Sequence, residues 1–294
     1  MKILIAIGSK DFSKPTLNLG MKVAQAFNAK TTIIGVGVKI SEFSSQLVEL
    51  AHDQMESWDF DPPGVDVLEW AFNYLSRNKL IDVTQLETGF PKNRLIEDGE
   101  DRKMVYLSGT VCEDVNLILR NGDIISELRD EVQYGKYDVT ILGKSGKRNM
   151  SHDLLQYINS SVLIVNSYDN QKFDKILLPL NDADDMMKVS KYAIRVAMAL
   201  NVGIDIFTVL NKKSLNMGKS YNMNRVMKLI RRSGVQFTHE EKEGEIVDQI
   251  IKKADKNKII VMKASSMSPI KRYFKGSIPL SVMKACDVPI LIVK

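Results

Sequence analysis

Apolar residues along this chain fall into short unbroken runs and helical stripes, and the same succession occurs twice. In the carboxyl-terminal part, Lys175 to Leu180 is a nearly continuous apolar run, the pattern of a parallel strand buried on both faces. Asp182 to Asp185 gives a polar helix start, and Val189, Ala193, Val196, Ala197 and Leu200 follow at helical spacing. Gly203 to Leu210 predicts a second strand. Asn222 to Arg232, with Val226, Leu229 and Ile230 on one face, predicts a basic amphipathic helix, and Val235 to His239 a third strand. Gly244 leads into a helix with Ile246, Val247, Ile250 and Ile251. Lys258 to Met262 and Pro289 to Val293 predict the fourth and fifth strands, with a loop and helix between them.

The amino-terminal part runs through the same order. Met1 to Ile7 predicts strand one, and residues 14–28 a helix starting at Pro15, a favoured first-turn residue. Thr31 to Val38, Val115 to Arg120, Asp138 to Leu142 and Val162 to Val165 predict strands two to five. The offset between matching residues is 173 at Lys2 and Lys175 but 122 at Gly122 and Gly244, so 51 extra residues stand between strands two and three. This insertion, at about 41–114, holds two helical stretches, 41–57 and 65–79, and two strand-like pieces, Val83 to Glu87 and Met104 to Leu107.

Strands alternating with helices imply right-handed crossovers and a parallel sheet covered on both faces. The expected fold is α/β: two doubly wound, five-stranded, Rossmann-like parallel sheets. Three segments match in one order: Lys2–Ile7 with Lys175–Leu180, Gly122–Ile125 with Gly244–Val247, and Val162–Val165 with Ile290–Val293. Such a repeat means a duplicated unit. The expected domains are 1–168 and 173–294, joined by a short linker, and 294 residues suffice for two cores.

Composition narrows the function classes. No apolar run reaches the roughly 18 to 20 residues of a membrane helix, and the first residues read as a strand rather than a cleavable leader. Cys112 and Cys286 sit in different copies without partners at metal-ligand spacing, which points to idle thiols and a cytoplasmic protein. The net charge of +5 is uneven: residues 173–294 carry 22 Lys and Arg against 12 Asp and Glu, the rest 19 against 24. The excess is densest at Lys252, Lys253, Lys256, Lys258, Lys263, Lys271, Arg272 and Lys275. Such a field gathers anionic ligands or pairs with the acidic first copy. Aromatic residues scarcely interleave with these lysines, so nucleic-acid recognition has little support.

Ligands of open α/β sheets settle beyond the carboxyl ends of the strands. After strand four the first copy has Gly143-Lys144-Ser145-Gly146-Lys147-Arg148, whose glycines let backbone N–H groups approach a phosphate. The second copy has Lys263-Ala264-Ser265-Ser266 there, and later Lys275-Gly276-Ser277 ahead of a helix over Ile278 to Ala285. A Gly-Ser pair at a helix start suits an anion, and equally a tight turn with a capping serine. His52, His152 and His239 are scattered without metal-site spacing, so no metal is expected. No nucleophile stands beside a recognisable base.

In Lys175–Asp182, in Gly244-Glu245-Ile246 and in Gly276-Ser277 followed by Pro289–Val293, the chain resembles the universal stress protein family in its tandem, two-domain form. The resemblance covers all but the insertion. Many members resemble one another in an ATP-binding pattern, Gly-x2-Gly-x9-Gly-Ser/Thr, with an aspartate after strand one. In the first copy Gly143 and Gly146, with Ser145 between them, fit the opening pair; Gly8 holds the aspartate position and no closing Gly-Ser follows. In the second copy Gly276 and Ser277 fit the closing pair, Lys263 and Ser266 stand at the opening glycines, and Asn181 replaces the aspartate. The resemblance implies a non-enzymatic stress-response or binding module with degenerate nucleotide sites, ATP or AMP entering the second domain. It also implies an intramolecular pseudo-dimer in which Val162–Val165 and Pro289–Val293 pair antiparallel, with further self-association of chains. The alternatives are a slow ATPase or other nucleotide-dependent enzyme, and a polyanion binder using the basic second domain.

Overall fold

The computed structural model describes residues 1–37, 64–82, 90, 95–98, 102–144, 155, 158–166, 172–180, 186–210, 221–264 and 277–294. The first part contains β1 (Lys2–Ile7), α1 (Lys10–Phe27), β2 (Lys30–Gly37), α2 (Val65–Arg77), β3 (Ile81–Asp82), β4 (Ile96–Glu97), β5 (Arg102–Gly109), β6 (Asp114–Asn121), α3 (Ile124–Gly135), β7 (Val139–Gly143) and β8 (Ser161–Val165). The second contains β9 (Lys175–Leu180), α4 (Met186–Leu200), β10 (Gly203–Leu210), α5 (Tyr221–Arg232), β11 (Phe237–Glu243), α6 (Ile246–Lys253), β12 (Lys258–Lys263), α7 (Ile278–Ala285) and β13 (Ile290–Val293).

Neighbours are parallel throughout β8-β7-β1-β2-β6 and throughout β13-β12-β9-β10-β11. Both expected five-stranded parallel sheets are present, with the same internal order. They join edge to edge where β8 and β13 pair antiparallel: Ile164 faces Ile290, Leu163 faces Leu291 and Val162 faces Ile292. The other edges of these two strands are filled by β7 and β12. The terminal strands thus satisfy each other within one chain, and the result is one continuous sheet.

That register relates the halves by an approximate two-fold at Leu163 and Leu291. Counting outward equates Asn166 with Lys294 and Ile158 with Cys286. The contacts across the join are reciprocal in the same sense. Asn166 Nδ2 donates to the Cys286 and Val288 carbonyls at 3.2 and 2.8 Å. Lys294 Nζ donates to the Leu155 carbonyl at 3.1 Å and to that of Ile158. Each half closes on the other with the polar residue that follows its last apolar strand.

Alternate strand residues point into two apolar layers, as period-two patterning requires. Ile3, Ile5 and Ile7 pack with α1, α2, α4 and α5; Leu4, Ile34 and Leu142 pack with α3, α6 and α7. On the first face α1 packs on α4 across the join, with the Phe27 and Tyr192 rings 5.2 Å apart. Gly20 lets α1 lie close on β1, since a Cβ there would stand 2.8 Å from Ile5 Cδ1.

Several boundaries differ from those the pattern predicts. Helix α1 starts at Lys10, so Pro15 lies inside it. Ser13 Oγ accepts from the Gly8 and Ser9 N–H groups, stabilising the earlier start. Within the insertion, α2 matches the stretch 65–79, and β5 is longer than Met104 to Leu107. Strand β5 pairs antiparallel with β6 and carries β3 and β4 on its outer edge. The stretches 41–57 and Val83–Glu87 lie outside the described residues.

Candidate functional site

Each half has a point where the chain turns in opposite directions from adjacent strands, between β1 and β7 and between β9 and β12. Ladder pairing ends at Ile5–Ile141 in the first and at Leu177–Ile260 in the second. Beyond these pairs the strands continue, β9 through Pro179, which has no N–H to give a neighbour. Two crevices therefore open at the carboxyl ends of the central strands.

In the first crevice the described donors Gly8, Ser9 and Lys144 are engaged. Gly8 follows β1, but its N–H and that of Ser9 go to Ser13 Oγ, at 3.0 and 3.2 Å. Gly143 ends β7. The next residue is Lys144, whose ammonium lies across the join, 3.2 Å from the Cys286 carbonyl and 3.2 Å from Asp287 Oδ1. Ser145 and Gly146 lie outside the described residues.

The second crevice differs at its rim. Ala264 N–H donates to the Val293 carbonyl at 2.7 Å, as Lys144 N–H does to that of Val165 at 2.8 Å. The register thereby equates Lys263 with Gly143, so a cation stands at the strand end where the first half has glycine. Ser277 caps α7: its Oγ accepts the Leu280 N–H at 3.3 Å, and the residue is 7% exposed. The expected capping serine and the expected ligand serine are therefore one residue whose hydroxyl already serves the helix. Ala264, Ser277, Leu280, Lys294 and, from the other half, Leu155 border a cavity of about 20 Å³, room for a single water. Asn181, Ser266 and Gly276 lie outside the described residues.

Two residues of this neighbourhood, Lys294 and Leu155, escaped the sequence reading. The available signal was position: Asn166 and Lys294 are the first polar residues after matching apolar strands.

Other ionisable groups sit away from the crevices. At the amino ends of the second sheet, Asp205 accepts from Lys175 Nζ at 2.7 Å and Thr238 Oγ1 at 2.6 Å, with Lys258 Nζ 3.5 Å away. Burial alone would raise the Asp205 carboxyl; the bonds from Lys175 and Thr238, with the charges of Lys175 and Lys258, outweigh it and hold it below its ordinary value. At the other end of the molecule Glu131 is fully buried and accepts from Arg102, Arg120 and Tyr137 at 2.9 to 3.2 Å. Burial and this carboxylate push the Tyr137 phenol up. Burial likewise raises the Cys112 and Cys286 thiols, which keeps them protonated and poorly nucleophilic. His239 Nε2 lies 3.2 Å from Thr208 Oγ1 on the edge pair β10–β11; His52 and His152 lie outside the described residues. Among the described residues no group of three or more His, Cys, Asp or Glu is arranged to hold a metal, and no helix is long and apolar enough to cross a membrane.

No protein-family model matches the chain, and no curated protein matches it in sequence. Solved structures do match in shape. A universal stress protein from Archaeoglobus fulgidus DSM 4304 aligns over 100% of this chain and 96% of its own, with 14% identity and a TM-score of 0.58. A putative universal stress protein from Pseudomonas aeruginosa UCBPP-PA14 covers 100% and 92%, at 12% identity and a TM-score of 0.60. The cytoplasmic domain of a prokaryotic cation chloride cotransporter also aligns, over 99% and 94%, at 6% identity and a TM-score of 0.52. The chain has the universal stress protein fold along its whole length. That one fold also serves a transporter domain means function must be argued from the crevices.

Proposed function

We propose that the chain is a universal-stress-type binding module rather than an enzyme, made of two domain units, residues 1–168 and 173–294. Its second crevice takes an adenine nucleotide, ATP or AMP, with Asn181, Lys263, Ser266, Gly276 and Ser277 as the surrounding residues. The observation that carries this reading is Lys263 at the end of β12, where the first half has Gly143, one residue from the cavity at the start of α7. A lysine is a compact point charge for a phosphate, and a helix start favours an anion.

Holding rather than transforming a ligand fits the groups present. Ser277 Oγ is committed to the Leu280 N–H, and the Cys286 thiol is held protonated by burial. Neither is a poised nucleophile.

Calorimetric titration of ATP and of AMP into the whole chain tests the reading. One nucleotide per chain is expected, with binding lost in Lys263→Glu and kept in Lys144→Glu. Absence of heat at millimolar nucleotide would overturn it, as would equal loss in both variants. A ligand at a hundredfold excess over its dissociation constant adds about 2.7 kcal/mol to stability, so thermal melting gives an independent readout. Steady release of inorganic phosphate from ATP, abolished by Ser277→Ala, would favour the slow ATPase instead.

A further inference from the structure

The helices on the two faces of the sheet differ in charge. On one face α2, α1, α4 and α5 form a continuous layer, each packed on the next. Within it α4 and α5 carry seven Lys and Arg and no Asp or Glu. All seven are exposed: Lys188, Lys191 and Arg195 on α4, and Arg225, Lys228, Arg231 and Arg232 on α5. Neighbouring α1 adds exposed Lys14 and Lys22. On the opposite face α3, α6 and α7 together balance four cations against four carboxylates. Among the described helices the positive charge is therefore concentrated in one layer.

We propose that the α4–α5 layer, extended by α1, is a docking surface for the phosphodiester backbone of nucleic acid, without sequence preference. The spacing supports it. Lys188, Lys191 and Arg195, like Arg225, Lys228 and Arg232, recur at three- and four-residue intervals, so each helix aligns its cations on one side over roughly 10 Å. Packed helices lie about 8–10 Å apart, which makes two near-parallel rows. Four of the seven are arginines, whose planar fork pairs with phosphate oxygens.

An anionic membrane is the competing polyanion, and the packing disfavours it. A helix that lies in a membrane surface puts its apolar side among the lipids. Here the apolar sides of α4 and α5 are committed to the core, with Val189, Ala193, Val226 and Ile230 at most 1% exposed. Phosphodiester polymers need no such contribution, because counterion release alone drives binding.

Fluorescence anisotropy with labelled 25-base-pair DNA and RNA duplexes, from 50 to 200 mM salt, tests this on the whole chain. If five phosphates are engaged, the logarithm of affinity falls against that of salt with a slope of about −4.5. The triple variant Lys191→Gln, Lys228→Gln, Arg232→Gln is expected to shallow the slope by about 2.7 and weaken binding at least tenfold at 50 mM salt. The triple variant Arg129→Gln, Lys252→Gln, Lys284→Gln, which removes equal charge from α3, α6 and α7 on the other face, is expected to change affinity less than twofold. Circular dichroism confirms that both variants fold. Binding of DNA and RNA alike supports the surface. Undetectable binding at 50 mM salt, equal weakening by the two triples, or tighter binding to vesicles with 30% phosphatidylserine than to either duplex would overturn it.

Discussion

The two five-stranded sheets share an order and a register, yet their polar positions have been rewritten. At the amino ends, Asp138 of the first sheet accepts the Lys2 backbone N–H at 2.8 Å. The matching position in the second sheet is Lys258, which faces Asp205 instead. Thr32 in β2 corresponds to Asp205 in β10, and Gly143 at the rim to Lys263. The apolar positions between them keep their character: Ile3, Leu4 and Ile5 correspond to Ile176, Leu177 and Leu178, all fully buried. The fold needs the apolar alternation. It accepts either sign of charge at a strand end, provided a complementary partner moves with it.

The largest expected effect sets one half's buried ion cluster against the other's. Glu131→Gln removes the buried carboxylate shared by Arg102, Arg120 and Tyr137, leaving Arg102 to Asp98 and Arg120 to Glu127, at a cost of about 3 kcal/mol, read from urea unfolding. Asp205→Asn, where Lys175 is half-exposed and can turn to water, should cost less, about 2 kcal/mol. A larger loss at Asp205 would reverse the ranking. The Asp205 carboxyl is also held below its ordinary value in the native state. Its contribution is therefore complete above the unfolded range near 3.9 and is lost as pH falls through the lower native value. The difference in stability between native protein and Asp205→Asn should shrink below about pH 4.

The join offers a smaller and more symmetric test. Asn166→Ala and Lys294→Ala each remove donors from carbonyls of the opposite half, at about 1–2 kcal/mol apiece. Because both act on one β8–β13 interface, the double variant should depart from additivity by about 1 kcal/mol. Strict additivity would mean that the clasps stabilise their own loops rather than the contact between halves. Smallest is Ser277→Ala, at about 1 kcal/mol for the lost cap, with β13 pairing unchanged by amide exchange.

Most of the scaffold was legible in the sequence because its determinants are local. The run Lys175–Leu180 and the stripe Ile278–Ala285 match β9 and α7 to the residue; one is buried on both faces, and the other is opened by Ser277 with Pro279 in its first turn. The antiparallel meeting of Val162–Val165 and Ile290–Val293 was implied by the family resemblance, and the structure shows it. What escaped is non-local. Lys144 reads as part of a glycine-rich loop, but its partners on the other half are more than 140 positions away. Glu131 looks like one more acid on an amphipathic helix until β5 and β6 bring Arg102 and Arg120 to it. The candidate site was legible only at its ends, Gly143, Lys263 and Ser277, where strand and helix termini fix the backbone.

The antiparallel join has a consequence for how such a molecule changes over time. In a homodimer built on the same contact, any substitution at a rim would be made in both rims at once. Here the two rims are separate stretches of one polypeptide, so a lysine can replace a glycine in one while the other is untouched. Covalent linkage releases the pair from compulsory symmetry, and a single chain can alter one rim without altering the other.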